Sequence, residues 1–148
     1  MELEPIIAAL RTRCPIFGGR VAGAAQFNLL PENAALEVPC AFVIPLDDNP
    51  SENISMNGVN QSLKDSFAVV IAVNNKPDER GQSSVSNVHD IRLLLWKALL
   101  GWQPAEEYDG IAYEGGQVMR LDRARLWYQF EFGANMQIQI RSEEHTSE

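Results

Sequence analysis

Few side chains in this 148-residue chain are spaced for chemistry. A nucleophile needs a base within reach and a third group to orient that base. Outside the last eight residues there is one histidine, His89, followed directly by Asp90. On a helix such neighbours diverge by about 100°, so the pair does not converge on a substrate. Cys14 and Cys40 have no second cysteine or histidine at metal-ligand spacing, which leaves zinc unsupported, and they read as two buried, reduced thiols. Asp47-Asp48 and Glu106-Glu107 are carboxylate pairs in turn-rich stretches. Paired carboxylates suit a hard cation, and solvated loop charges explain these equally well. A juxtaposition of Asp65 with Glu131 depends on strand pairing that the sequence does not supply. Gly18-Gly19 and Gly115-Gly116 lack the following Lys-Ser/Thr of a phosphate-cradling loop. Arg120, Arg123 and Arg125 form one small basic cluster, and Trp96, Trp102, Trp127, Tyr113 and Tyr128 read as the two sides of a core. No catalytic, cofactor-binding or metal site is assigned, and no cofactor is expected.

The elements that would position these residues follow from periodicity. In 84–104, Val85, Val88, Ile91, Leu95, Ala98, Leu99 and Trp102 recur at steps of three or four, so they share one helix face. Gly101 offers a left-handed C-terminal position, and Pro104 prevents continuation. Leu93, Leu94 and Leu100 widen the apolar surface, which predicts burial on more than one side. Leu3, Ile6, Ile7 and Leu10 predict a first helix with Pro5 in its opening turn and Pro15 beyond its end. The stretch 21–30 is ambiguous, with helix slightly favoured. Residues 38–46 read as a short strand whose Pro39 and Pro45 mark its ends or a sheet edge. Residues 47–58 read as a long polar loop.

From Leu63 a long strand follows, with Asp65, Phe67, Val69, Ile71 and Val73 on one face and a small apolar set on the other. The stretch 74–83 is a charged loop into the helix. Strands are expected over 111–121 and 123–132, joined by a tight turn at Leu121-Asp122-Arg123, with a break at Gly115-Gly116. A separate last strand is expected through Met136, Ile138 and Ile140. The order predicts a single-domain α+β fold: a small mixed or antiparallel sheet with helices mainly on one face.

The net charge is −8, of which 141–148 (RSEEHTSE) supplies −2. That segment reads like a translated sequencing adapter, so the domain is expected to span 1–140 and 141–148 to be a non-native or disordered tail. The acidic balance argues against nucleic-acid affinity, which rests on Lys and Arg at phosphates. No apolar run approaches the ~20 residues needed to span a bilayer, and Glu2 and Glu4 stand where a signal peptide needs positive charge, so production in the cytoplasm is expected.

Taken together, PCAFVIP (39–45), FAVVIAVN (67–74), DIRLLLWKALLGWQP (90–104) and LWYQFEF (126–132) resemble the tail terminator proteins of long-tailed bacteriophages. The resemblance implies a structural virion protein at the head-proximal end of the tail, assembled in the bacterial host cytoplasm. It implies a homo-oligomeric ring, usually of six copies, that ends tail-tube polymerisation and meets the tail tube protein and the head–tail connector. DNA would pass through an acidic lumen with little adhesion, and no membrane is involved. The polar loops are then the natural contacts, through Asp47, Asp48, Asn49, Glu52 and Asn53 in one and Lys76, Asp78, Glu79 and Arg80 in the other. Two other classes compete: a metal-dependent hydrolase using Asp47, Asp48 or Glu131, and a monomeric small-ligand module.

Overall fold

The structure, a computed structural model, describes residues 1–31, 35–75 and 84–142. Helix α1 spans Glu4–Arg13, with proline in its first turn and Glu4 at the end the macrodipole favours for an anion. A 3-10 turn at Pro15–Phe17 stops it. Strand β1 (Val21–Gly23) leads into a short helix α2 (Ala24–Asn28), so only part of the stretch where helix was favoured over irregular structure is helical, and its start is strand. Strands β2 (Cys40–Pro50) and β3 (Gly58–Asn74), helix α3 (Ser84–Leu99), and strands β4 (Ala112–Leu121) and β5 (Arg125–Arg141) complete the chain. Gly101 takes φ 80° just past α3, the left-handed position expected of it.

The five strands form one mixed sheet in the order β1-β2-β3-β5-β4. Only β1 and β2 are parallel; the other pairings are antiparallel. The axis of the sheet is the β3–β5 ladder, which runs without a register shift from Gly58 opposite Arg141 to Asn74 opposite Arg125. A Cβ on Gly58 would collide with the Ile140 backbone, so this end of the ladder requires glycine.

Two cores sandwich the inner half of the sheet. On one face Phe67, Val69, Ile71, Phe130 and Phe132 pack against Ile6 and Leu10 of α1 and Ile91, Leu95 and Leu99 of α3. On the other, Cys40, Phe42, Val70 and Ala72 are covered by Phe27 of α2, Leu30, Leu36 and Trp127. Helices therefore lie mainly on one face, as the periodicity predicts. Arg11 ties α1 to β1 through two bonds to the Val21 carbonyl (Nε 3.0 Å, Nη2 2.7 Å). Arg13 reaches the Ala98 carbonyl at 2.8 Å and lies over the Trp102 ring.

Three expectations change, each at a strand boundary or break. The strand expected to stop at 46 continues to Pro50 after a bulge between Pro45 and Asp48, so Asp47, Asp48 and Asn49 stand on β2 rather than in a loop. The stretch around Gly133 does not divide two strands, because β3 pairs continuously along both halves and holds β5 extended. Gly115-Gly116 produces a bulge within β4, with φ 138° at Gly115, instead of a break. Arg141 closes the β5 ladder, and the Ser142 amide donates to the Asn57 carbonyl, so both belong to the sheet's end; residues 143–148 lie outside the described residues.

Phe67 is fully buried and stacks on Phe132 at 5.6 Å, which in turn meets Tyr113 edge-on at 5.4 Å. Phe67→Ala should therefore cost about 3–5 kcal/mol in chemical denaturation. The fully exposed Met56 sets the contrast: Met56→Ala should stay within about 0.5 kcal/mol.

Candidate functional site

The side chains capable of chemistry are scattered or already engaged by the fold. His89 is exposed on α3, and its Nδ1 faces Arg92 Nη2 at 3.0 Å, with no part played by Asp90. Cys14 and Cys40 are free and buried. Burial pushes the Cys14 thiol up from its ordinary 9.0 to about 11, the opposite of what a nucleophile needs. Asp65 and Glu131 do not meet. Asp65 pairs with Ala134 and Glu131 with Ala68, which puts the two carboxylates on opposite faces of the sheet. Asp65 instead accepts from the Tyr108 hydroxyl at 2.8 Å and from the Met1 ammonium at 2.5 Å. That burial and that acceptor push the Tyr108 phenol up.

Asp47 and Glu131 do come to one place. They line a shallow hollow of about 460 Å³ with Asn49, Ser66 and Glu114. Glu114, which sequence reading passed over, is held by the Ser66 hydroxyl at 2.8 Å and Lys64 Nζ at 2.9 Å. Glu131 accepts from Gln129 Nε2 at 2.8 Å. Among the described residues no three His, Cys, Asp or Glu are placed to share a metal ion. Glu106 and Glu107 are exposed in the turn after α3.

The prominent surface is the outer half of the sheet. Beyond Phe67 and Phe132 the helix-facing side of the β3–β5 ladder meets Tyr108, which bridges to Met136, and then runs out to Leu63 opposite Met136 and Val59 opposite Ile140, with Leu63 and Val59 half-buried and Ile140 37% exposed. The opposite face of this ribbon carries Asn60, Ser62, Lys64, Asn135, Gln137 and Gln139. Residues 51–57 join β2 to β3 at its tip, where Ile54 is 77% and Met56 100% exposed. Glu52 and Asn53 are exposed there too, and Asn53 is structural: its Oδ1 accepts from the Ser55 and Asn60 amides. At the other end of the sheet, Asp122 Oδ1 accepts from the amides of Ala124 and Arg125, making the expected tight turn. Lys76, Asp78, Glu79 and Arg80 lie outside the described residues.

A domain whose reactive groups serve its own fold, and whose bare apolar groups sit at its extremities, is built for contact with other molecules of protein. The phage tail terminator protein family matches residues 1–143, and the chain belongs to that family. It is thus a structural, tail-capping protein of the virion. Among solved structures it is similar to a chain in the virion of a native gene transfer agent particle. The identity is 11% and the TM-score 0.56, covering 90% of this chain and 92% of that one, a likeness of fold. No curated protein matches the chain. No helix among the described residues is long and apolar enough to cross a membrane.

Two measurements follow. Millimolar Mg²⁺ or Mn²⁺ should leave the melting temperature unchanged; a concentration-dependent rise would mark a cation site by mass action. The unfolded Cys14 thiol ionises near pH 9 whereas the folded one keeps its proton to about pH 11. The stability it contributes is therefore whole below pH 9 and lost as pH rises to 11, at up to ~1.4 kcal/mol per unit. Ionisation of unfolded Tyr108 adds loss in the same direction above its ordinary 10.0. The urea midpoint should fall across pH 9–11, and less steeply in Cys14→Ala.

Proposed function

We propose that this chain is the subunit of a closed ring, most simply of six copies, that seats on the head-proximal end of the phage tail tube. The ring ends tube polymerisation and offers its far side to the head–tail connector. No reaction is performed. The observation that carries this reading is the family match across residues 1–143, essentially the whole described domain. The physical features agree with it. A ring buries heterologous surfaces with no open end, which suits a chain with bare apolar groups at both ends of its sheet. A net charge of −8 gives passing DNA few cations to exchange for its counterions.

In this reading Asp47, Asp48 and Asn49 on the outer part of β2, with Glu52 and Asn53 at the tip, contact tube, connector or a neighbouring copy. Lys76, Asp78, Glu79 and Arg80 form a second contact segment. In this reading residues 1–140 form the tail-terminator domain, and the RSEEHTSE segment at 141–148 is non-native sequence.

The test is the length of tails made without this gene. Electron microscopy should show overlong tails of variable length, unjoined to heads, and restored by the wild-type chain. A chain with residues 51–57 replaced by an Asn-Gly turn should fold but fail to restore them. Normal tails in the absence of the gene would remove the proposal.

A further inference from the structure

Both strands that flank the β3–β5 ladder break step at one level. β2 shifts register between Pro45 and Asp48, and β4 between Tyr113 and Gly115. Pro45 stands opposite Phe67 and Tyr113 opposite Phe132, so the two bulges begin at the same row of the ladder. There the ladder leaves the core: Phe67 and Phe132 are fully buried, and three rows out Lys64 and Asn135 are exposed. The ladder itself crosses this level without a shift. A bulge bends its strand and leaves one residue unpaired, so the outgoing ribbon draws less support from its neighbours here than anywhere in the core.

Glu114 is the unpaired residue of the β4 bulge, because Tyr113 pairs with Phe132 and Gly115 with Glu131. Its carboxylate does not turn to solvent. It reaches across β5 to β3, where it accepts from the Ser66 hydroxyl at 2.8 Å and from Lys64 Nζ at 2.9 Å, and its side chain is 17% exposed. The bond from Ser66 is charge-assisted and half-buried, whereas Lys64 is half exposed and adds less. The strand that Glu114 crosses is bare at that point. A Cβ on Gly133, which pairs with Ser66, would collide with Glu114 Oε1 and lie 3.2 Å from Ser66 Oγ. Gly115, next to Glu114, takes φ 138°, a conformation that L side chains rarely adopt. A bulge, a positive φ and a missing side chain thus meet in one contact. The turn after α3 holds neighbouring rows by separate bonds, from Tyr108 to Asp65 and from the Asp109 amide to the Asn135 carbonyl, each at 2.8 Å.

We infer that Glu114 is a strap that ties the outgoing ribbon, 58–65 with 134–141, to the body of the sheet, and that the side-chain-free Gly133 is what admits it. The strap sets the angle at which the tip presents Ile54 and Met56. It stands on the fold alone, whatever the tip meets in the virion.

Hydrogen exchange of the isolated chain, read segment by segment, tests it. Glu114→Ala removes the strap, and Gly133→Ala evicts it, since the displaced atoms are the end of a flexible side chain. Each should speed exchange in 58–65 and 134–141 about tenfold relative to exchange in 67–73 and 126–132. A residue that merely added overall stability would speed both sets alike. The double variant should exchange no faster than Glu114→Ala alone, because without the carboxylate the new Cβ has lost its main obstacle. Ribbon exchange unmoved by either single substitution, core and ribbon accelerated equally, or a double variant in which the two effects add would each overturn the strap. None of these outcomes bears on the tail-length measurement, which tests the ring separately.

Discussion

The antiparallel pairing of β3 with β5 sets the geometry on which everything else depends. Its inner half, from Phe67 opposite Phe132 to Val73 opposite Leu126, is covered on both faces and anchors both cores. Its outer half has no such cover, and an isolated two-stranded ribbon is marginal in water. What keeps it extended is continuity with the buried half, the added strand from Asp48 to Pro50, and local bonds at its end. Gln61 Nε2 donates to the Ser51 carbonyl at 2.8 Å, and Asn53 Nδ2 to the Gly58 carbonyl at 3.0 Å. The core therefore supplies the rigidity by which the exposed Ile54 and Met56 of the tip are carried outward. Apolar area left in water there is unfavourable at roughly 25 cal/mol per Å², which is the physical reason to expect a partner.

The groups capable of chemistry are occupied for a related reason. Cys14 is sealed beneath α1 and α3, Tyr108 and Asp65 satisfy one another, and Ser66 and Lys64 engage Glu114. Each of these groups closes a seam between elements. The exposed carboxylates of β2 and the tip are left as surface charge, while Arg120 pairs with Asp122 at 3.4 Å in the turn at the other end. A tail-capping protein needs a durable frame and selective surfaces.

Much of this was legible in the chain. The period of α3, the two-sided character of β3 and the alternation of Leu126 to Phe132 define a helix-backed sheet, because each is a local pattern strong enough to override propensity. The tight turn at Asp122 was legible for the same reason. The extension of β2 was not, since two prolines and a bulge disguise a strand whose extended form depends on β3 beside it. Nor was the single long β5, where Gly133-Ala134-Asn135 looks like a turn and is held straight by Asp65 and Ser66 across the ladder. The parallel pairing of β1 with β2 joins residues 20 apart, as in Val21 with Ala41, beyond the reach of any local window. The candidate contacts suffered accordingly: composition marked 47–58 as polar, but only pairing shows that its first part is strand. The Glu114 contact was invisible, because it joins β4 to β3 across β5.

The most direct measurement is a cryo-electron microscopy map of the head-proximal end of the assembled tail. A closed circle of this chain is expected there, with Ile54 and Met56 of each ribbon tip covered by protein. A chain absent from that position, or present as separate copies whose ribbons stand in solvent, would contradict it.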